Sequence, residues 1–200
     1  MARTIAKDHD DKRKQIQDAA AKFFAETGFD RASMSQLAKS CGISKAAIYH
    51  YYESKDALLF DILDSYLKAL RDRITSIQRG ELEPEAYLRN VLTEILQAYR
   101  GADHQHRVQI DAMSYLPEEQ QALLRSYQRE LVTVVSDSLM ELAPAALKAN
   151  PRKVKATTMS VFGMLNWFYM WNGDDREAAR AEYAELVSDI LTKGLAGIKA

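Results

Sequence analysis

The sequence predicts an all-α protein of about nine helices, and three observations carry that expectation. Apolar residues recur at helical spacing almost from end to end, with no convincing alternating strand. Eight Gly and four Pro in 200 residues are too few for the many turns of an all-β chain. Cap and stop residues punctuate the apolar stripes at intervals that suit helices. A hydrophobic content of 47% argues against disorder and is ample for a core, in one domain or two.

The elements follow in order. A first helix is expected from about Asp10 to Glu26, with Ile16, Ala20, Phe23, Phe24 and Thr27 on one face and Gly28 as its stop. Ser33-Met34-Ser35-Gln36 reads as a capping box that opens a short second helix ending at Cys41-Gly42. Ser44 caps a third, Lys45 to about Tyr51. Ser54 caps a long fourth over about 55–79, apolar from Leu58 to Ile77 and stopped at Gly80. Pro84 opens a fifth that ends by Gly101, and a shorter sixth covers about His104 to Tyr115. Pro117 opens the seventh, which stops near Pro144. Asn150-Pro151, an N-cap followed by proline at the first helical position, opens an eighth to about Asn172. Gly173 breaks it, and Asp174 or Asp175 caps the last, with Leu186, Ile190 and Leu195 among its apolar positions.

Several function classes drop out. A single cysteine, Cys41, excludes an internal disulfide or a cysteine-cluster metal site and fits a reducing compartment. It reads as a small buried hydrophobe. The N-terminus has no apolar signal region, and the most apolar stretch, Met159 to Trp171, is too short and interrupted to cross a bilayer. A cytoplasmic protein is expected. HExxH, GxSxG, P-loop and GxGxxG patterns are missing, so neither an enzyme nor a cofactor is expected. His104-x-His106 beside Asp103 lacks the i, i+4 spacing of helical metal ligands and reads as a solvated loop, with no metal. The formal net charge of −1 hides an uneven distribution. Residues 1–55 carry 10 basic and 7 acidic side chains, residues 56–200 carry 17 and 21. A mildly basic head on an acidic body is what a DNA-binding protein shows.

Residues 33–55, SMSQLAKSCGISKAAIYHYYESK, carry the decisive motif. Two short capped helices flank a tight turn at Gly42, with Ile43 as a core plug behind it, which is how a helix-turn-helix is written. Ala46 and Ala47 let the second helix sit deep in a major groove. Ser44, Lys45, Tyr49, Tyr51 and Lys55 supply donors for phosphates, His50 reaches for a base edge, and Ser33, Ser35 and Gln36 join them from the first helix. Tyr52 belongs to the core.

Gly28-Phe29, Ser35, Leu37-Ala38, Gly42-Ile43-Ser44-Lys45, Ile48-Tyr49, Tyr51-Tyr52 and Ser54-Lys55 with Leu58-Leu59 resemble the TetR/AcrR family of one-component bacterial regulators. The family usually has Ala at Cys41 and Phe at Tyr52. The resemblance implies a homodimeric repressor, with activation left open because nothing in the chain encodes that sign. It divides the chain into residues 1–54, a helix-turn-helix DNA-binding domain, and residues 55–200, a ligand-binding and dimerisation domain. Two heads on a two-fold dimer would read a pseudo-palindromic operator, their recognition helices about 34–36 Å apart or a multiple of it. The alternative is a helical dimeric small-molecule-binding protein without DNA-binding activity.

Residues 161–175, VFGMLNWFYMWNGDD, form a helix apolar nearly all round, which demands burial on all sides. Ser160, Gly163, Trp171, Leu186 and Ile190 are candidate dimer-interface residues, Ser160 and Gly163 allowing close helix approach. The aromatics serve either the dimer core or the wall of an effector pocket, and Asn166, Trp167, Tyr169 and Met170 are candidates for the pocket, with Arg107, Asp111 and Tyr115. The Gly-Met-Leu-Asn-Trp run and the following Trp resemble regulators that sense acyl-CoA thioesters, where the second Trp often follows a basic or polar residue; here it follows Met170. An acyl-CoA effector needs cations for its phosphates, and Arg71, Arg73, Arg89, Arg100, Arg107, Arg125 and Arg129 are available.

Overall fold

The computed structural model describes residues 2–174 and 176–195, with side chains described from residue 9 to residue 194. Ten α-helices and one short 3-10 turn make up the described chain, which contains no strand. Helix α1 spans Ala2–Thr27, eight residues longer at its start than the apolar pattern suggests. No Gly or Pro precedes Gly28, so nothing local stops the helix from extending. It ends where Gly28 turns to φ +87°, its N–H donating to the Phe24 carbonyl at 2.9 Å. Helices α2 (Met34–Ser40) and α3 (Lys45–Tyr51) begin at Ser33 and Ser44 as expected.

Helix α4 (Lys55–Thr75) ends four residues short of the expected 79. The Thr75 and Ser76 hydroxyls donate back to the carbonyls of Arg71 and Arg73 at 2.8 Å, competing with the helical ladder, and Ile77 falls in a turn. Helix α5 (Pro84–Ala98) has proline in its first turn. Helix α6 (Asp103–Ala112) continues as a 3-10 turn, Met113–Tyr115, before α7 (Glu118–Leu142). The single-turn helix α8 (Ala145–Lys148) raises the number of helices above nine; four residues are too few to show a period. Helix α9 (Pro151–Trp171) is capped by the Asn150 side chain, which accepts from the Lys153 N–H at 3.2 Å. Ahead of α10 (Glu177–Leu195), Asp174 Oδ1 accepts from the Arg176 N–H at 3.0 Å. Asp175, the other candidate cap, and the Leu195 side chain lie outside the described residues. No described helix is long and apolar enough to cross a membrane.

The chain forms two compact units. One comprises residues up to Lys68 with Gly101–Arg125, the other Ala69–Arg100 with the residues from Ser126 on. The first is built around Ile16, Ala20, Phe24, Leu37, Ile48, Leu58, Leu59 and Leu63, all nearly or wholly buried. In the second, Leu88, Leu92, Ile95 and Leu96 of α5 form a buried stripe, and α10 packs on that helix. Arg180 of α10 is buried there, donating to the Leu96 carbonyl at 3.3 Å with its guanidinium over the Phe168 ring. Helices α4 and α7 each contribute residues to both units.

The two histidines of α6 do not form a solvated loop. They are helical, and His106 is only 4% exposed, sharing a 3.3 Å hydrogen bond through Nδ1 with the Tyr66 hydroxyl. Sequence spacing alone gives no sign of Tyr66, 40 residues away. Burial pushes the imidazole down from 6.5 to about 4. Between those values the unfolded chain binds a proton that the folded one refuses, so this stability is complete above pH 6.5 and is lost as pH falls toward 4. We expect the wild type to lose about 2–3 kcal/mol more than His106→Gln between pH 7.5 and 4.5 in urea unfolding. Parallel pH profiles for the two proteins would contradict the assignment.

Candidate nucleic-acid interface

Two local devices set the helix-turn-helix. At the start of α2 the Ser33 Oγ accepts from the Gln36 N–H at 3.3 Å while the Gln36 side chain accepts from the Ser33 N–H at 3.1 Å, so the capping box is complete. At α3 the Ser44 Oγ accepts from the Ala47 N–H at 3.0 Å. Between them Gly42 sits at φ +65°, where a side chain is disfavoured by backbone geometry and not by crowding, since a Cβ there would meet nothing within 4 Å. The Ile43 N–H then donates to the Ala38 carbonyl at 3.0 Å, closing the turn.

This arrangement points α3 outward. Ile48 is completely buried, which at 100° per residue places Ala46 and His50 across the helix with Tyr49 beside them. Ser33, Ser35, Gln36, Ser44, Lys45, Ala46, Tyr49 and His50 are all exposed, and Ala47 and Tyr51 half-buried. The Lys45 ammonium lies 5.9 Å from the Tyr49 ring centre. His9 stacks on Tyr51 at 4.9 Å and meets His50 edge-on at 6.4 Å. Sequence reasoning missed His9, because only the extended α1 brings it to α3. Cys41 is half-buried, less enclosed than expected, and burial still pushes its thiol up, away from the reactive thiolate.

The end of α3 is fastened by a polar hub. Tyr52 is buried as expected, and its hydroxyl donates to Asp61 Oδ2 at 2.5 Å. The same carboxylate accepts two bonds from the Arg13 guanidinium, at 2.6 and 3.0 Å, and one from Gln17 Nε2 at 2.6 Å. One aspartate of α4 thus ties together α1 and the end of α3. Burial, with the Asp61 bond second, pushes the Tyr52 phenol well above its usual range and keeps it a donor.

Lys55 is placed differently from its expected phosphate contact. Its ammonium donates to the carbonyls of Phe29, Ala32 and Asp30 at 2.8, 3.1 and 3.4 Å and lies 4.3 Å from the Phe29 ring centre. Three N–H groups meet three carbonyls, so the charge is spent on bracing the α1–α2 loop.

The candidate ligand residues divide between the two units, Arg107, Asp111 and Tyr115 in the first and Asn166, Trp167, Tyr169 and Met170 in the second. Helix α6 turns His106, Val108 and Ala112 inward, which leaves Arg107 and Asp111 exposed and paired to each other at 3.6 Å. Tyr115 is exposed, its ring 5.2 Å from that of Phe29. On α9 the Asn166 Oδ1 accepts from the Tyr99 hydroxyl at 2.8 Å, and Tyr169 is half-buried. Trp167 and Met170 instead share an exposed face with Met159, Ser160, Gly163 and Trp171. Leu186 and Ile190 of α10 are exposed as well, at 54% and 52%. The Trp171 and Phe168 rings both pack against Tyr183, which holds α9 to α10.

Residues 16–62 match the family model described as bacterial regulatory proteins, tetR family, and residues 81–195 match the tetracyclin repressor-like C-terminal domain. Among curated proteins, the HTH-type transcriptional regulator YuxN of Bacillus subtilis is 37% identical over 87 residues, 44% of this chain. The chain spans 30% of YuxN's length. A TetR-family transcriptional regulator from Bordetella parapertussis superposes with a TM-score of 0.83 at 31% identity, over 94% of this chain and 97% of that one. The structure of AibR in complex with isovaleryl coenzyme A and operator DNA shares the fold, with a TM-score of 0.71 at 20% identity over 90% and 98% of the two chains. With its C-terminal model alone matching more than half of its residues, the chain belongs to the TetR family of bacterial regulators.

Proposed function

We propose that the protein is a dimeric, DNA-binding transcriptional repressor that releases a pseudo-palindromic operator when a small-molecule effector binds. The observation that carries this reading is the exposed face of α3, with Lys45, Ala46, Tyr49 and His50 presented outward on a helix whose other side is locked by Ile48. Residues 1–54 act as the head. Ser33, Ser35, Gln36, Ser44, Lys45, Tyr49 and Tyr51 contact phosphates, Ala46 and Ala47 allow close approach, and His50 contacts a base edge. Residues 55–200 dimerise and take the effector. Helix α4 runs continuously from the head into the second unit, a covalent route by which an effector there biases the head. The effector acts only through its differential affinity for the operator-competent and released states. An acyl-CoA thioester is the favoured class, supported by the tryptophan pattern of α9 and by the AibR complex. The role is regulatory and not enzymatic, carried out where the chromosome is.

Selection of bound duplexes from a random pool tests this. We expect a recovered palindrome to bind at least about a thousandfold more tightly than its scrambled version at physiological salt. The salt slope per head should be modest, since Lys45 is the one cation that α3 itself presents. Equal affinity for the two duplexes, with dimerisation intact, would leave the non-DNA-binding alternative.

A further inference from the structure

The geometry points to a site for an amphipathic anion, an acyl chain with a negatively charged head group, in a groove formed by α7, α8 and α9. This inference rests on reading the chain as an effector-responsive regulator. Val132, Met140, Val154 and Met159 wall a cavity of about 590 Å³, within the range of small-molecule sites. Thr158 also lines it, but its hydroxyl donates to the Val154 carbonyl at 3.0 Å, so this wall too presents mainly carbon. Ser136, Pro151, Lys148 and Lys155 complete the lining, the two lysines exposed, with Arg152 exposed on the first turn of α9.

These cations differ from four of the seven arginines that the sequence offered for phosphate recognition. Arg71, Arg73, Arg89 and Arg107 are all engaged by carboxylates of their own unit. Among the described residues no carboxylate pairs with Lys148, Arg152 or Lys155. Between Glu141 and Asp174 the chain carries four basic side chains and no acidic one, although residues 56–200 as a whole are net negative. Positive charge at the start of α9 also opposes the helix dipole, so local helix stability does not explain it. Uncompensated cations beside an apolar groove complement a ligand that is anionic at one end and hydrocarbon at the other.

Calorimetry on the full-length protein, using alkanoates and acyl-CoAs of four, eight and twelve carbons, tests the site. We expect Kd to fall by about fourfold per added methylene until the groove is filled. Lys148→Ala with Lys155→Ala should weaken dodecanoyl-CoA at least tenfold, while the double Lys→Arg protein retains binding. Val154→Asp should remove the dependence on chain length. Dodecanoate and dodecanoyl-CoA separate the two head groups, since tighter binding of the thioester assigns the cations to phosphates and equal binding assigns them to any single anion. Probe binding that is absent, or indifferent to the lysine pair, overturns the site while leaving operator recognition standing. A lysine-pair variant that loosens the dimer without changing probe affinity assigns the groove to the second copy instead. Failure of the untreated protein to select an operator defeats the regulator reading and not the groove.

Discussion

Trp167→Asp is expected to convert the dimer to monomers and to remove high-affinity operator binding. Trp167 is 59% exposed in the single chain, on a face of α9 shared by Gly163, Met170 and Trp171, and Leu186 and Ile190 of α10 are exposed as well. An exposed apolar face of this kind is expected at an interface. In a two-fold dimer each replaced residue counts twice. A buried interfacial tryptophan is worth at least about 2 kcal/mol, so the dimer should weaken by at least about 4 kcal/mol, on the order of a thousandfold. Loss of the second head then costs a further factor of about 10²–10⁴ in operator avidity. Gly163→Ala provides the control for folding, because a Cβ at that position meets nothing within 4 Å in the single chain. Sedimentation and operator titration read the two effects. A Trp167→Asp protein that stays dimeric at micromolar concentration would place the interface elsewhere.

The second large effect is expected at Asp61. Its carboxylate accepts from Arg13, Gln17 and the Tyr52 hydroxyl, and its side chain is 15% exposed. Asp61→Leu leaves a buried phenol without its acceptor and removes the partner of an exposed guanidinium, which should cost about 2–3 kcal/mol. Tyr52→Phe removes a single bond and should cost only about 1 kcal/mol. Because the hub holds the end of α3, both variants should lose operator affinity in that same order and remain dimeric. Urea unfolding with operator titration checks this. Equal effects of the two substitutions would show that Asp61 does not act as a shared acceptor. The phenylalanine usual at this position in the family cannot make this bond, so here tyrosine adds a third side chain to those held by the Asp61 carboxylate.

Much of the fold is local in origin and was therefore legible. Ser33, Gln36 and Ser44 cap their helices through bonds that span three residues, and Gly28 and Gly42 end theirs by backbone conformation alone. The start of α1 and the end of α4 were less so. An apolar pattern marks which residues are buried, and helix ends depend on breakers and on hydroxyl back-bonding at Thr75 and Ser76. Helix α8 is too short to carry a period at all.

The candidate sites divide in the same way. Residues 33–51 alone determined which helix faces outward, because α2, the turn and α3 are consecutive and their capping bonds are local. Only the tertiary structure decided what distant side chains do. Lys55 meets carbonyls 23 to 26 residues away, Asp61 meets Arg13 across 48, and His106 meets Tyr66 across 40. The exposed side of α9 and the groove beside Lys148 and Lys155 also depend on which neighbours α5, α7 and α10 supply. Periodicity records that a residue is apolar or charged, but its partner is selected by packing between segments remote in sequence.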